Sequence, residues 1–177
     1  MDRVLKLVAA CLVLSGCAAE LVLEEGGWVA TIPRQISDSG HIVVETRLNG
    51  RGPFRFAIDT GATISVVYDR ARAEAGIEPT PGVQAHVLGM TGSGLFPVGQ
   101  IDQLSIGQET WENARVALLP ETGPVATHVD GILGTDFLSR YGVLYSHKER
   151  VLRLYPREAV AGPSYSGWSK IKLHDVR

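Results

Sequence analysis

The stretch that most constrains this chain is Phe56-Ala57-Ile58-Asp59-Thr60-Gly61-Ala62-Thr63-Ile64-Ser65-Val66-Val67, a short polar segment set between two apolar, β-branched runs. The pattern predicts strand, sharp turn, strand. A carboxylate at such a turn, Asp59, is half-sunk in the domain yet reachable from outside. Burial penalises its charged form, so its pKa is open to tuning. Gly61 follows closely and has no Cβ, which lets a backbone or a substrate approach the turn.

A chain of 177 residues, 45% hydrophobic and 20% charged, has the size and composition of one globular domain with some appended sequence. Its formal net charge of −2 offers no basic footprint, which argues against a nucleic-acid partner. Glycine-rich punctuation, abundant Val and Ile and few long helical periods indicate an all-β or mainly β domain. The five His and two Cys form no spacing that suits a metal; His128 and Asp130 sit two apart, and an isolated pair of this kind reads as ordinary loop. No metal and no cofactor is expected.

The N-terminus has its own logic. Arg3 and Lys6 precede the apolar run Leu7–Leu14, which is too short to span a bilayer as a helix and reads as a signal-peptide core. Leu14-Ser15-Gly16-Cys17 resembles the lipobox of bacterial lipoproteins, which implies removal of residues 1–16 and lipidation of Cys17 as a membrane anchor. Ala18 after the Cys resembles the pattern sent to an outer membrane, so the expected location is the cell envelope, facing the periplasm. Cys11 would leave with the signal, and Cys17 alone affords no disulfide. Residues 17–27, small and acidic, suit a tether ahead of a domain at 28–158.

Within that domain Trp28–Pro33 reads as a first strand. Ile42, Val44, Thr46 and Leu48 alternate with Val43, Glu45 and Arg47, the period of a strand with one buried face. Asn49-Gly50 is a strong hairpin signal and returns the chain into Phe54–Ile58, which delivers Asp59 at a strand end. Tyr68–Ala75 predicts a short helix stopped by Gly76, Pro79 and Pro81. Gln84–Leu88 and Leu95–Val98 are strands around Gly89-Met90-Thr91-Gly92-Ser93-Gly94; no Lys-Ser/Thr follows and no helix opens there, so this is a hairpin tip rather than a phosphate loop. Ile101–Ile106 and Thr110–Leu119 are further strands, Pro120–His128 is loop, and Asp136 is placed to cap a helix over Phe137–Tyr141. Val151–Tyr155 is the last clear strand, and residues 159–177 form a tail or an added strand.

The order hydrophobic residue, Asp59-Thr60-Gly61, small residue resembles the active-site signature of aspartic proteases, and Ala62 in place of Ser resembles the retropepsin-like, single-lobe branch. Ile132-Leu133-Gly134 resembles that family's second signature, with the glycine-rich hairpin between the two. The resemblance spans Val29–Tyr155. It implies a closed β-barrel with a flap hairpin, a ψ-shaped strand crossing and one or two short helices. It implies peptide hydrolysis by a water held between two aspartates, for which Asp59, Thr60 and Gly61 are the catalytic turn and Ala62, Thr63, Met90, Thr91 and Gly92 contact a peptide or protein substrate. Asp130 and Asp136 match no second Asp-Thr-Gly, so the second carboxylate is expected from another copy of the chain in a homodimer. Two positions depart from the retroviral pattern: Thr63 stands where an Asp is common, and Thr135 where an Arg follows the second-signature Gly. A non-catalytic peptide-binding envelope lipoprotein on the same fold is the alternative.

Overall fold

The structure is a computed structural model that describes residues 27–38, 40–89, 92–122 and 128–157. The expected signal, Cys17 anchor and most of the tether lie outside the described residues, as do Met90, Thr91 and the tail from 158 onward. The chain runs β1 (Ala30–Ile36), β2 (Ile42–Leu48), β3 (Arg51–Ile58), β4 (Val66–Tyr68), α1 (Asp69–Ala75), β5 (Pro79–Gly89), β6 (Gly92–Ile106), β7 (Glu109–Leu119), β8 (Gly131–Leu133), α2 (Thr135–Leu138), β9 (Tyr141–Ser146) and β10 (Val151–Pro156).

Six strands close a ring. β6, β7, β4, β8, β3 and β2 follow one another, and β2 returns to β6 through Arg47–Ser105 and Leu48–Leu104. Closure removes free edges from the centre of the molecule, and the interior fills with Val44, Leu48, Phe54, Phe56, Ile101, Leu104 and Leu133, all buried. The alternation along β2 is realised: Val44, Thr46 and Leu48 face inward while Glu45 and Arg47 are exposed. The β2–β3 turn has Asn49 at φ 51 and Gly50 at φ 75, the left-handed pair that a tight hairpin of this handedness requires.

Three strands extend the ring on one side. β1 pairs with β2 over Arg34–Ile36 and with β10 over Ala30–Pro33, and β10 pairs with β9. Among the described strands β9 ends the sheet, and its six residues hold no charge and no proline. On the other side β5 extends from β6 as a long hairpin.

Some expected boundaries move. The helix anticipated over Phe137–Tyr141 is α2, which ends at Leu138; Tyr141–Ser146 is strand instead, because each of its residues has a partner on β10. The two expected strands Leu95–Val98 and Ile101–Ile106 are one continuous β6, whose first half pairs with β5 and whose second half pairs with β7. Pro79 and Pro81 do not merely stop α1; they lie in β5, which has β6 as its ladder neighbour and is otherwise an edge, where a missing N–H is tolerated.

Candidate active site

Asp59 stands just past the end of β3, where its own N–H donates to the Leu133 carbonyl at 3.1 Å. One carboxylate oxygen, Oδ1, accepts the Gly61 N–H at 2.8 Å, and the Asp59 carbonyl accepts the Ala62 N–H at 3.4 Å. The turn is thus closed on itself, and it orients the carboxyl group without an ion pair among the described residues. Asp59 is half-buried, whereas Thr60, Gly61 and Thr63 are exposed.

A second loop clamps the first from below. The Ala62 carbonyl accepts both the Thr135 N–H at 2.8 Å and the Thr135 hydroxyl at 3.1 Å. Ser65, fully buried at 0% exposure, is the hub of the junction. Its Oγ accepts the Gly134 N–H at 3.0 Å and donates to Asp136 Oδ1 at 2.7 Å, while its N–H donates to Asp136 Oδ2 at 2.8 Å. A buried hydroxyl and amide are thereby satisfied by a carboxylate whose other contact is the Phe137 N–H at 2.9 Å. Asp136 is therefore not the helix cap. Gly134 occupies the cap position without a side-chain bond, and Asp136 is the second residue of α2, drawn away from capping by Ser65. Gly134 is required by close approach: a Cβ there would meet the Ala62 carbonyl oxygen at 2.8 Å. Ser65 carries one faint sequence signal, a hydroxyl set between Ile64 and Val66 in an apolar run.

Asp130 is likewise committed. It is 5% exposed; its Oδ2 accepts the Arg55 N–H at 2.8 Å, and its Oδ1 accepts the Arg70 guanidinium. Its backbone completes the arrangement, donating to the Arg55 carbonyl at 2.6 Å and accepting the Tyr68 N–H at 3.0 Å. Of the three aspartates near the two signatures, Asp59 alone keeps one carboxylate oxygen without a protein partner among the described residues.

A buried apolar cluster adjoins the Asp59 turn. Asp59 follows the end of β3, two residues after Ala57. Ala57 is the second member of a cross-strand row, Val43–Ala57–Ile132–Val66–Ala117, traced through β2, β3, β8, β4 and β7. Tyr68 and Val129 join this cluster, and Ile64, Val87, Leu119 and Ile132 pack at its margin. Val87 comes from β5, so the hairpin strand reaches over the row. Burial pushes the Tyr68 phenol above its ordinary pKa, and the charge of Asp59 pushes it further. A separate cleft of about 340 Å³ opens beside β1, β2 and β3, lined by Ile32, Pro33, Val43, Glu45, Arg55 and Gly107 among others; residues 59–63 take no part in it.

Residues 44–137, more than half of the chain, match the sequence model of the aspartyl protease family. The chain belongs to that family. The matched span holds the whole Asp59 turn, Ser65 and the Gly134–Asp136 clamp. Among solved structures, this aspartyl protease family member is similar to a retropepsin-like aspartic protease from Rickettsia conorii, at 18% identity and a TM-score of 0.50 over 70% of this chain and 87% of that one. It is also similar to the retroviral protease-like domain of Ddi1 from Leishmania major, at 15% identity and a TM-score of 0.42 over 66% and 95%. No curated protein matches in sequence. The fold of the described residues is retropepsin-like, as the two signatures implied. Of the residues singled out from sequence, Asp59 to Thr63 are together on one turn, and Gly92 opens the returning arm of the β5–β6 hairpin.

Proposed function

We propose that this aspartyl protease family member is an endopeptidase that acts as a homodimer, with Asp59 of each copy at one shared site. The observation that carries the reading is the state of the three aspartates: Asp130 and Asp136 are bound up in structural contacts, and Asp59 lies half-exposed on an otherwise open turn. Two carboxylates about 3 Å apart cannot both ionise, so a second Asp59 would split the pair into a base and an acid. The ionised member takes a proton from the attacking water, and the neutral member donates a hydrogen bond to the oxyanion that develops on the scissile carbonyl. The exposed Thr60 hydroxyl is free to tie one turn to its twin, and the Gly61 carbonyl to receive a substrate N–H. Ala62, Thr63 and the hairpin tip at 90–92 would contact the peptide. An isologous pairing needs a self-complementary surface, and the uncharged edge of β9, with Val143 at 42% exposure, offers one.

The lipobox-like Leu14-Ser15-Gly16-Cys17 supports placing the enzyme on the envelope membrane, facing the periplasm. A shared anchor surface raises the local concentration of copies and would favour a weak dimer. The test is cleavage of a peptide library by wild type and by Asp59→Asn, with sedimentation of both. Cleavage is expected from wild type and none from the variant, with the same dimer for each. Peptide binding without cleavage by wild type would instead favour a peptide-binding lipoprotein.

A further inference from the structure

Three charged side chains line the cleft beside β1, β2 and β3, and the chemistry at Asp59 uses none of them. At about 340 Å³ the cleft is at the lower end of small-molecule pockets, which run to about 300–1,000 Å³. It opens where two ladders part. β1 pairs with β2 through Ile36–Ile42, Gln35–Val43 and Arg34–Val44, and from Pro33 back to Ala30 it pairs with β10 instead. β2 next meets β6, at Arg47–Ser105. Glu45 stands in the gap between the two ladders, with Arg55 directly opposite on β3 and Arg47 two residues further along β2. All three are exposed, whereas Ile32, Val43 and Val44, which also line the cleft, are buried.

These groups lack the partners that a continuous sheet would supply. Glu45 and Arg55 oppose each other, yet their side chains form no ion pair or hydrogen bond among the described residues. Arg47 donates only to the Gly52 carbonyl, at 3.3 Å. The Glu45 main chain is short of a partner too. His41 accepts the Ser37 N–H at 2.9 Å, and Asn49 donates to the Gln103 carbonyl at 2.8 Å, so alternate residues from 41 to 49 turn their main-chain groups away from β3. The Glu45 carbonyl therefore faces β1, where the next residue in register is Pro33, which has no N–H to give.

We propose that this cleft is a second binding site, for a small zwitterion that carries an ammonium and a carboxylate on one short apolar frame: an amino acid or a short peptide with free ends. The ammonium, with three donors, reaches the Glu45 carboxylate and the Glu45 carbonyl. The carboxylate takes the fork of Arg55, and Arg47 adds a second positive charge beside it. An anion alone would meet the charge of Glu45, and a cation alone would meet two guanidinium groups. A ligand with one charge of each sign suits all three side chains.

The test is calorimetry on the full chain with leucine, leucyl-leucine, N-acetyl-leucyl-leucine, leucyl-leucinamide and phosphoethanolamine; no cleavage is read, so its outcome is independent of the endopeptidase reading. Leucine or leucyl-leucine is expected to bind once per chain, and which of the two binds tells amino acid from peptide. Blocking either end of the bound ligand is expected to weaken it at least about tenfold, and phosphoethanolamine, without the apolar frame, to bind as weakly. Glu45→Gln is expected to erase the preference for a free amine and Arg55→Gln that for a free carboxylate, both with melting temperatures near wild type because the two side chains are exposed. Asp59→Asn is expected to change nothing. Failure of both leucine and leucyl-leucine to bind overturns the proposal, as do equal affinities for free and blocked ligands, tighter binding of phosphoethanolamine, or binding that Asp59→Asn abolishes and Arg55→Gln leaves intact.

Discussion

Two loops meet under the candidate active site, and they treat their aspartates in opposite ways. The Asp136 carboxylate is consumed: it takes the N–H and the hydroxyl of buried Ser65 and the N–H of Phe137. The Asp59 carboxylate takes a single N–H, that of Gly61, and faces outward beside an apolar row. A carboxylate that is fully satisfied by fixed donors is structural cement, because any other use of it would strip a buried group of its partner. A carboxylate that is oriented but not consumed is available for chemistry. The difference teaches that Asp136 and Ser65 spend their polarity so that Asp59 need not.

Asp59→Asn is expected to lower peptide cleavage at least about 10³-fold with little change in melting temperature, since the amide still accepts the Gly61 N–H while it can no longer take a proton. Measured activity within tenfold of wild type would break the contrast at its functional end. Asp136→Ala is expected to act the other way round on stability, costing about 2–4 kcal/mol in denaturant unfolding because Ser65 is left buried with an unpaired N–H and hydroxyl. Gly134→Ala comes next, at about 1–3 kcal/mol, as the new methyl presses on the Ala62 carbonyl and pries the loops apart; an unchanged midpoint for it would mean that the clamp is loose.

The smallest effect is at the far end of the clamp. Burial, the hydrogen bond to Glu109 and the charge of Glu109 raise the Tyr141 phenol from 10.0 to about 12, while Arg140 opposes the rise. The unfolded chain ionises this phenol near its ordinary value and the folded chain does not, so its contribution to stability is complete below pH 10 and is lost as pH climbs from 10 to about 12. Tyr141→Phe is expected to flatten that part of the stability profile, read by unfolding at a series of alkaline pH values. An unaltered slope would show that the Tyr141 phenol ionises alike in the folded and unfolded chain and that its contact with Glu109 does not hold the proton.

What sequence alone revealed depended on range. The Asp59 turn is local, a polar segment between β-branched runs, and its strand–turn–strand form is present as expected. The Asn49-Gly50 hairpin is local too. Ser65 and Asp136 are 71 positions apart, and nothing within a window of a dozen residues pairs them. Hence Asp136 reads as a cap next to Phe137, the nearest role its neighbours offer, although a distant hydroxyl claims it. Strand β9 was hidden for a related reason: Tyr141, Val143, Leu144 and Tyr145 become a strand through their partners on β10, and the short helix before them has no strong stop. The apolar row beside Asp59 is assembled from five strands, one residue from each, which no linear pattern displays.

The central claim is that Asp59 is half of a site. It is tested most directly by titrating Asp59→Asn into a fixed amount of wild type at a concentration where subunits exchange, and measuring peptide cleavage per wild-type chain. If two copies share one site, an equal amount of the variant captures half of the wild-type chains in mixed dimers and lowers that activity to about half. Activity per wild-type chain that stays constant at every ratio would mean that each chain carries a complete site of its own, and would contradict the account.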